Sequence, residues 1–199
     1  MQKPTRFGEF YIAQLPAATL WPYRDEAKFL EFCRQCPHHA SLWSCPPYAD
    51  DTWLREMQKF PHVVLIGLKI EIPDELRQQD TTDKETLKQT ARTLVGQGRD
   101  KFDPLLLEAE RAHAPALSLH AGHCRSCPPD KCARLKNRPC RHPNLMRLSL
   151  ESCGFDVSKI AADFLGHELK WSRESLPEYF FLVGALMSKT PLTPADFFK

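Results

Sequence analysis

Apolar residues recur along this chain in two periods, and each period predicts a different kind of element. Residues 62–72, HVVLIGLKIEI, are continuously apolar in their first half and alternate from Leu68 onward. That is the pattern of a central strand with one face emerging into water. Residues 179–187, YFFLVGALM, are apolar throughout and fit a last buried strand, with Gly184 as its weak point. PALSLHAG at 115–122 reads as a strand leading to Cys124, and GEFYIAQLPAATL at 8–20 alternates weakly, as an edge strand would. Helical spacing appears at Ala27, Leu30 and Cys33, predicting a helix over 25–36 that Pro37 ends. A second helix over 52–60 would turn Trp53, Leu54, Met57 and Phe60 inward.

A longer helical pattern runs from Leu87 through Phe102, Leu106 and Ala109 to Ala112, after a capping box at Thr82 and Glu85. Gly96 and Gly98 weaken it, and Asp103-Pro104 can split it, with Asp103 as N-cap and Pro104 in the first helical position. One helix and two are both compatible with the pattern. Residues 144–153 look helical and stop at Gly154, and Ser158 is placed to cap a short helix ending at Gly166. Strands and helices alternate irregularly. The expected fold is therefore α/β or α+β, a single sheet with flanking helices and a cysteine-rich metal-binding loop region.

Composition narrows the functional classes. At 199 residues the expectation is one domain over 1–199, with a cysteine-rich loop region at 121–147 and a second cysteine motif at 33–47. A net charge of +2 offers no electrostatic case for nucleic acid. The longest apolar run has nine residues, against the ~18 or more that span a bilayer. The opening residues lack a signal-length apolar run, so a cytoplasmic protein without a membrane partner is expected. No glycine-rich phosphate loop follows a strand.

Eight cysteines are abnormal for such a chain, and seven of them cluster. Cys33, Cys36 and Cys45 form C-x2-C-x8-C; Cys124, Cys127, Cys132 and Cys140 form C-x2-C-x4-C-x7-C; Cys153 stands alone. In a reducing compartment this clustering points to metal ligation ahead of disulfides. Thiolates are soft donors that select zinc, copper(I) or iron–sulfur centres. Four cysteines within seventeen residues resemble a cluster-binding loop more than a zinc ribbon, although the spacing departs from the compact ferredoxin run. Cys36, Cys45, Cys127 and Cys140 each adjoin a proline, which stiffens a loop without regular structure. The lone Cys153 reads as a small buried hydrophobe.

Between Cys124 and Arg147 seven cations face one acid, Asp130. They suit either charge compensation for thiolates or a solvated basic loop. Without interleaved aromatics they do not suit RNA. His38, His39, His120, His123 and His142 lie near the cysteines and are secondary candidates for ligation. Glu151 and Asp156 read as a helix-surface residue and a turn residue.

LWSCPP at 42–47 after the Cys33–Cys36 pair, AGHCRSC at 121–127, PCRHP at 139–143 and MRLSLESCGFDV at 146–157 together resemble a bacterial and archaeal family. It is the family of predicted metal-binding proteins of unknown function, domain of unknown function 2284. The resemblance spans about residues 23–187. It implies metal binding through the seven clustered cysteines, with no established activity, and does not require a cysteine at position 153.

The leading expectation is an iron–sulfur protein, with a 4Fe-4S cluster favoured, in electron transfer or as an accessory to a metalloenzyme system. Cys124, Cys127, Cys132 and Cys140 would be the primary ligands. Cys33, Cys36 and Cys45 would hold a second centre or approach the same region. The alternatives are a zinc-stabilised structural or interaction protein using Cys33, Cys36, Cys124 and Cys127, and a thiol redox enzyme using a C-x2-C pair. A redox protein or metalloenzyme is the expected partner. The two cysteine groups are expected to lie side by side despite their separation in sequence.

Overall fold

The computed structural model describes residues 4–78 and 83–197. In chain order its elements are β1 (Thr5–Phe7), β2 (Phe10–Pro16), α1 (Glu26–Arg34), α2 (Thr52–Gln58), β3 (His62–Glu71), α3 (Asp74–Arg77), α4 (Lys84–Ala112), β4 (Ala116–Leu119), α5 (Val157–Ile160) and β5 (Tyr179–Ser188). The five strands form one sheet in the order β1-β2-β3-β5-β4, with every neighbouring pair antiparallel. Helices flank the sheet, so of the two expected classes the fold is α+β.

The two most apolar segments pair with each other at the centre, from His62 opposite Ser188 to Glu71 opposite Tyr179. A strand buried on both faces must be apolar on both. Val63 and Leu65 accordingly enter one core with Leu150, Phe155, Ile160 and Leu165, while Val64 and Ile66 enter the other with Phe102 and Leu106. The alternation beyond Leu68 marks where β3 leaves cover, ending at the exposed Glu71.

Two sequence expectations change here, and one that the sequence left open is decided. The segment at 8–20 is not an edge: β2 lies between β3 and the three-residue β1, which takes the edge instead. The long helix is not split. α4 runs unbroken through Pro104, and Asp103 caps nothing; its carboxylate pairs with Arg99 one turn back at 2.8 Å. Residues 144–153 are not a helix. His120 donates its backbone N–H to Leu148 O at 2.8 Å, and Ser149 bridges to His120 beside β4, which holds this stretch extended. Ser149 and Ser152 then exchange side-chain bonds with each other's backbone N–H at 3.0 and 3.2 Å, so only a 3-10 turn forms, Glu151–Cys153.

The glycine at the expected weak point of β5 has a packing reason. A Cβ on Gly184 would lie 2.6 Å from Leu106 Cδ1 and 3.0 Å from Leu119 O, where α4 and β4 close on the strand. Smaller differences follow local chemistry. α4 starts at Asp83, which accepts from Glu85 N and Thr86 N; the Thr82 half of the expected capping box lies outside the described residues. Asp156, not Ser158, caps α5, accepting from Lys159 N at 3.0 Å, and the turn after it ends at Gly166 as expected. α1 ends at Arg34 rather than Cys36, and it buries no residue, with Ala27 exposed.

Candidate metal centre

The first cysteine motif begins on the last turn of α1 and leaves it. Asp25 caps the helix start, Cys36 N–H bonds back to Cys33 O at 3.0 Å, and the chain then loops to Cys45. Cys33 is half-buried, Cys36 exposed and Cys45 buried. The second motif follows β4 as loops and 3-10 turns, Pro129–Lys131 and Ala133–Lys136, and its four cysteines are all half-buried. None of the eight cysteines is in a disulfide.

The two loops interlock across the sequence gap. Arg134 sends one guanidinium nitrogen to Leu42 O at 2.6 Å and to Cys45 O, and the other to Pro47 O. The same guanidinium lies 5.4 Å from the Trp43 ring centre, and Trp43 Nε1 donates to Arg138 O at 3.0 Å. Cys124 N–H donates to the buried Ser44 hydroxyl at 2.8 Å, and the His38 and His123 rings meet at 4.0 Å. The spatial expectation for the two motifs holds. Ligand geometry is another matter: among the described residues, no three His, Cys, Asp or Glu side chains are grouped so as to hold a metal ion.

The donors fit a soft metal in kind. Backbone N–H groups point at two sulfurs, Ser126 at Cys124 Sγ (3.5 Å) and His142 at Cys140 Sγ (3.4 Å). In the first motif burial pushes the Cys33 thiol up and Cys45 up to about 11. Cys153 is 1% exposed, its thiol pushed up by burial, and it packs with Leu150 and Phe155 as a core residue.

Much of the basic charge in the second motif is engaged by protein groups. Arg125 pairs with Asp100 at 2.9 Å, Arg141 bonds Lys131 O, and Arg134 is committed to the first loop. Arg147 pairs with Glu110 in a half-buried contact. Behind Cys124 lies a buried polar chain that the sequence reading missed. Arg99, 4% exposed, bonds both Asp103 and His123 O (2.7 Å), and His120 Nδ1 sits 3.8 Å from Asp103. The i,i+4 spacing of Arg99 and Asp103 was its only local signal. Glu151 also departs from expectation. It is no helix-surface residue: its Oε2 is buried without a hydrogen-bond partner, and burial raises its carboxyl.

This network gives stability a defined pH dependence. Burial, then the Arg99 and Arg147 charges, lower His120 from 6.5 to about 4, so it is neutral when folded. The unfolded chain takes up that proton first, and stability is lost as pH falls from 6.5 toward about 4. Glu110 adds a second loss below its ordinary 4.5: despite the opposing effect of burial, bonds from Arg147 and Ser118 hold its carboxyl low. Urea titrations across this range should show stability falling on acidification, with a shallower fall for His120→Gln. Equal slopes for the two proteins would remove His120 from the account.

An antiparallel sheet with flanking helices and two cysteine loops bonded to each other defines a cysteine-rich α+β protein. Residues 23–187 match the family described as "Predicted metal-binding protein (DUF2284)", and the chain belongs to that family. No curated protein and no solved structure matches it. No helix among the described residues is long and apolar enough to cross a membrane.

Proposed function

We propose that this is an iron–sulfur protein of the cytoplasm, acting in electron transfer or as an accessory to a metalloenzyme system, with a redox protein or metalloenzyme as partner. Cys124, Cys127, Cys132 and Cys140 hold a 4Fe-4S cluster, and Cys33, Cys36 and Cys45 hold a second centre or close over the first. The observation that carries this reading is the interlock of the two loops through Arg134, which brings the Cys45 loop against the loop of the second motif. Such a cluster supplies one-electron chemistry at a potential set by nearby charge and by hydrogen bonds to sulfur. The chain's own contribution is to present soft donors, to aim N–H groups at Cys124 and Cys140, and to stiffen both loops with proline.

Because metal binding and folding are coupled in such loops, occupancy draws the sulfurs together. The thiol redox alternative gains no support from Cys33 or Cys45, whose thiols are pushed up where a nucleophile needs a depressed value. Iron, zinc and acid-labile sulfide measured on anaerobically isolated protein test the proposal. Iron and sulfide in similar amounts with a brown colour are expected; zinc without sulfide replaces the cluster with the structural reading.

A further inference from the structure

A cavity of about 440 Å³ opens between the middle of α4, the start of β5 and the segments around Gly122 and Leu169. Its walls are largely apolar, with Ala91, Val95, Leu169 and Phe180 among them, and Trp171 stands at its edge, 66% exposed. Its charged lining is one-sided: Lys88, Arg92, Arg99 and Lys170 against the single acid Glu151. At the rim the cations lean on acids outside the cavity, Lys88 and Arg92 on Glu85 and Lys170 on Glu178.

Arg99 is the exception, being buried. Its Nη2 serves Asp103 and His123 O, but Nη1 makes no hydrogen bond among the described residues. Nη1 faces the gap left by Gly122: a Cβ there would stand 3.7 Å from it, and φ of +78° favours glycine at that position. The buried Oε2 of Glu151, also without a partner, lines the same space. A buried cation with an unused donor, opening into a largely apolar chamber, is a built anchor for an anionic head.

We propose that this cavity binds an aromatic carboxylate, its head accepting from Arg99 Nη1 and its ring against Val95, Phe180 and Trp171. A single free guanidinium nitrogen suits a monoanion. A dianionic phosphate would bring excess negative charge beside Asp103 and Glu151, so it is disfavoured. Aromatic walls match an aryl body. The site does not depend on which metal the cysteines hold.

Calorimetric titration of the full-length protein with 2-naphthoate and its neutral isostere 2-naphthamide tests this. Saturable binding of naphthoate, at least about tenfold tighter than the amide, is expected, since a charged hydrogen bond distinguishes them. Arg99→Gln should erase that difference. Because Arg99 is also ion-paired and its loss can unfold the chain, Ala91→Trp serves as the second variant. It fills the cavity from the helix side without touching the Arg99–Asp103 pair, and in protein that circular dichroism shows to be folded it should abolish naphthoate binding. Equal affinity for acid and amide, no binding at all, or full naphthoate affinity in Ala91→Trp overturns the proposal.

Discussion

Serine in place of Cys124, Cys127, Cys132 or Cys140 is expected to strip iron and sulfide together, lowering occupancy of that centre by more than about tenfold in each case. The reason is chemical. A serine hydroxyl is protonated at neutral pH and hard, so it replaces neither the charge nor the softness of a thiolate. Cys153→Ser should leave metal content unchanged, because that side chain is buried among Leu150 and Phe155, and its cost is confined to packing. Loss of Cys33, Cys36 or Cys45 should remove only the metal of a second centre, or none if that loop merely covers the first. Metal analysis of the eight variants decides. Loss of metal in Cys153→Ser, with retention in Cys140→Ser, would place the fourth ligand at 153.

Arg134→Gln is expected to uncouple the two loops. The guanidinium spans carbonyls of Leu42, Cys45 and Pro47 and lies against Trp43. Among the described residues no other side chain bonds these three carbonyls. Removing the cation takes away charge-assisted bonds from a half-buried position, a loss of about 2–4 kcal/mol. Arg134→Lys should recover little, since an ammonium is a point charge without the planar fork. Hydrogen exchange should report the change as faster exchange over residues 40–47, with β3 and β5 unaffected. Exchange in that loop unchanged from wild type would mean that the Ser44 and Trp43 contacts hold it alone.

Much of the fold was legible from the chain. Residues 62–72 and 179–187 could be recognised as central strands because burial on both faces demands apolar residues at every position. Gly154 and Gly166 were legible as stops because left-handed backbone favours glycine. Local propensity misled where tertiary contacts outweighed it. Residues 144–153 have helical spacing, yet pairing with His120 at the end of β4 and the mutual bonds of Ser149 and Ser152 draw the backbone out of a helix. Pro104 looked like a helix start because proline suits that position. The helix runs on through it because Phe102, Leu106 and Ala109 are buried against the sheet on both sides of the break.

For the site, the division follows chemistry and distance. The seven clustered cysteines, their proline neighbours and the soft-metal character of the donors were determined by the sequence itself, because ligand type and short spacing are local properties. That the Cys45 loop meets the Cys124–Cys140 loop was an expectation from chemistry alone; the residues that join them, Arg134 and Ser44, carry no local signal and emerge only in three dimensions. The same holds for Arg99 and Glu151. A buried arginine and an exposed one look alike in a helical pattern of polar residues, and only packing against β5 and the Gly122 turn takes Arg99 out of water. Burial and long-range contact are sums over the whole chain, so the tertiary structure alone decided them.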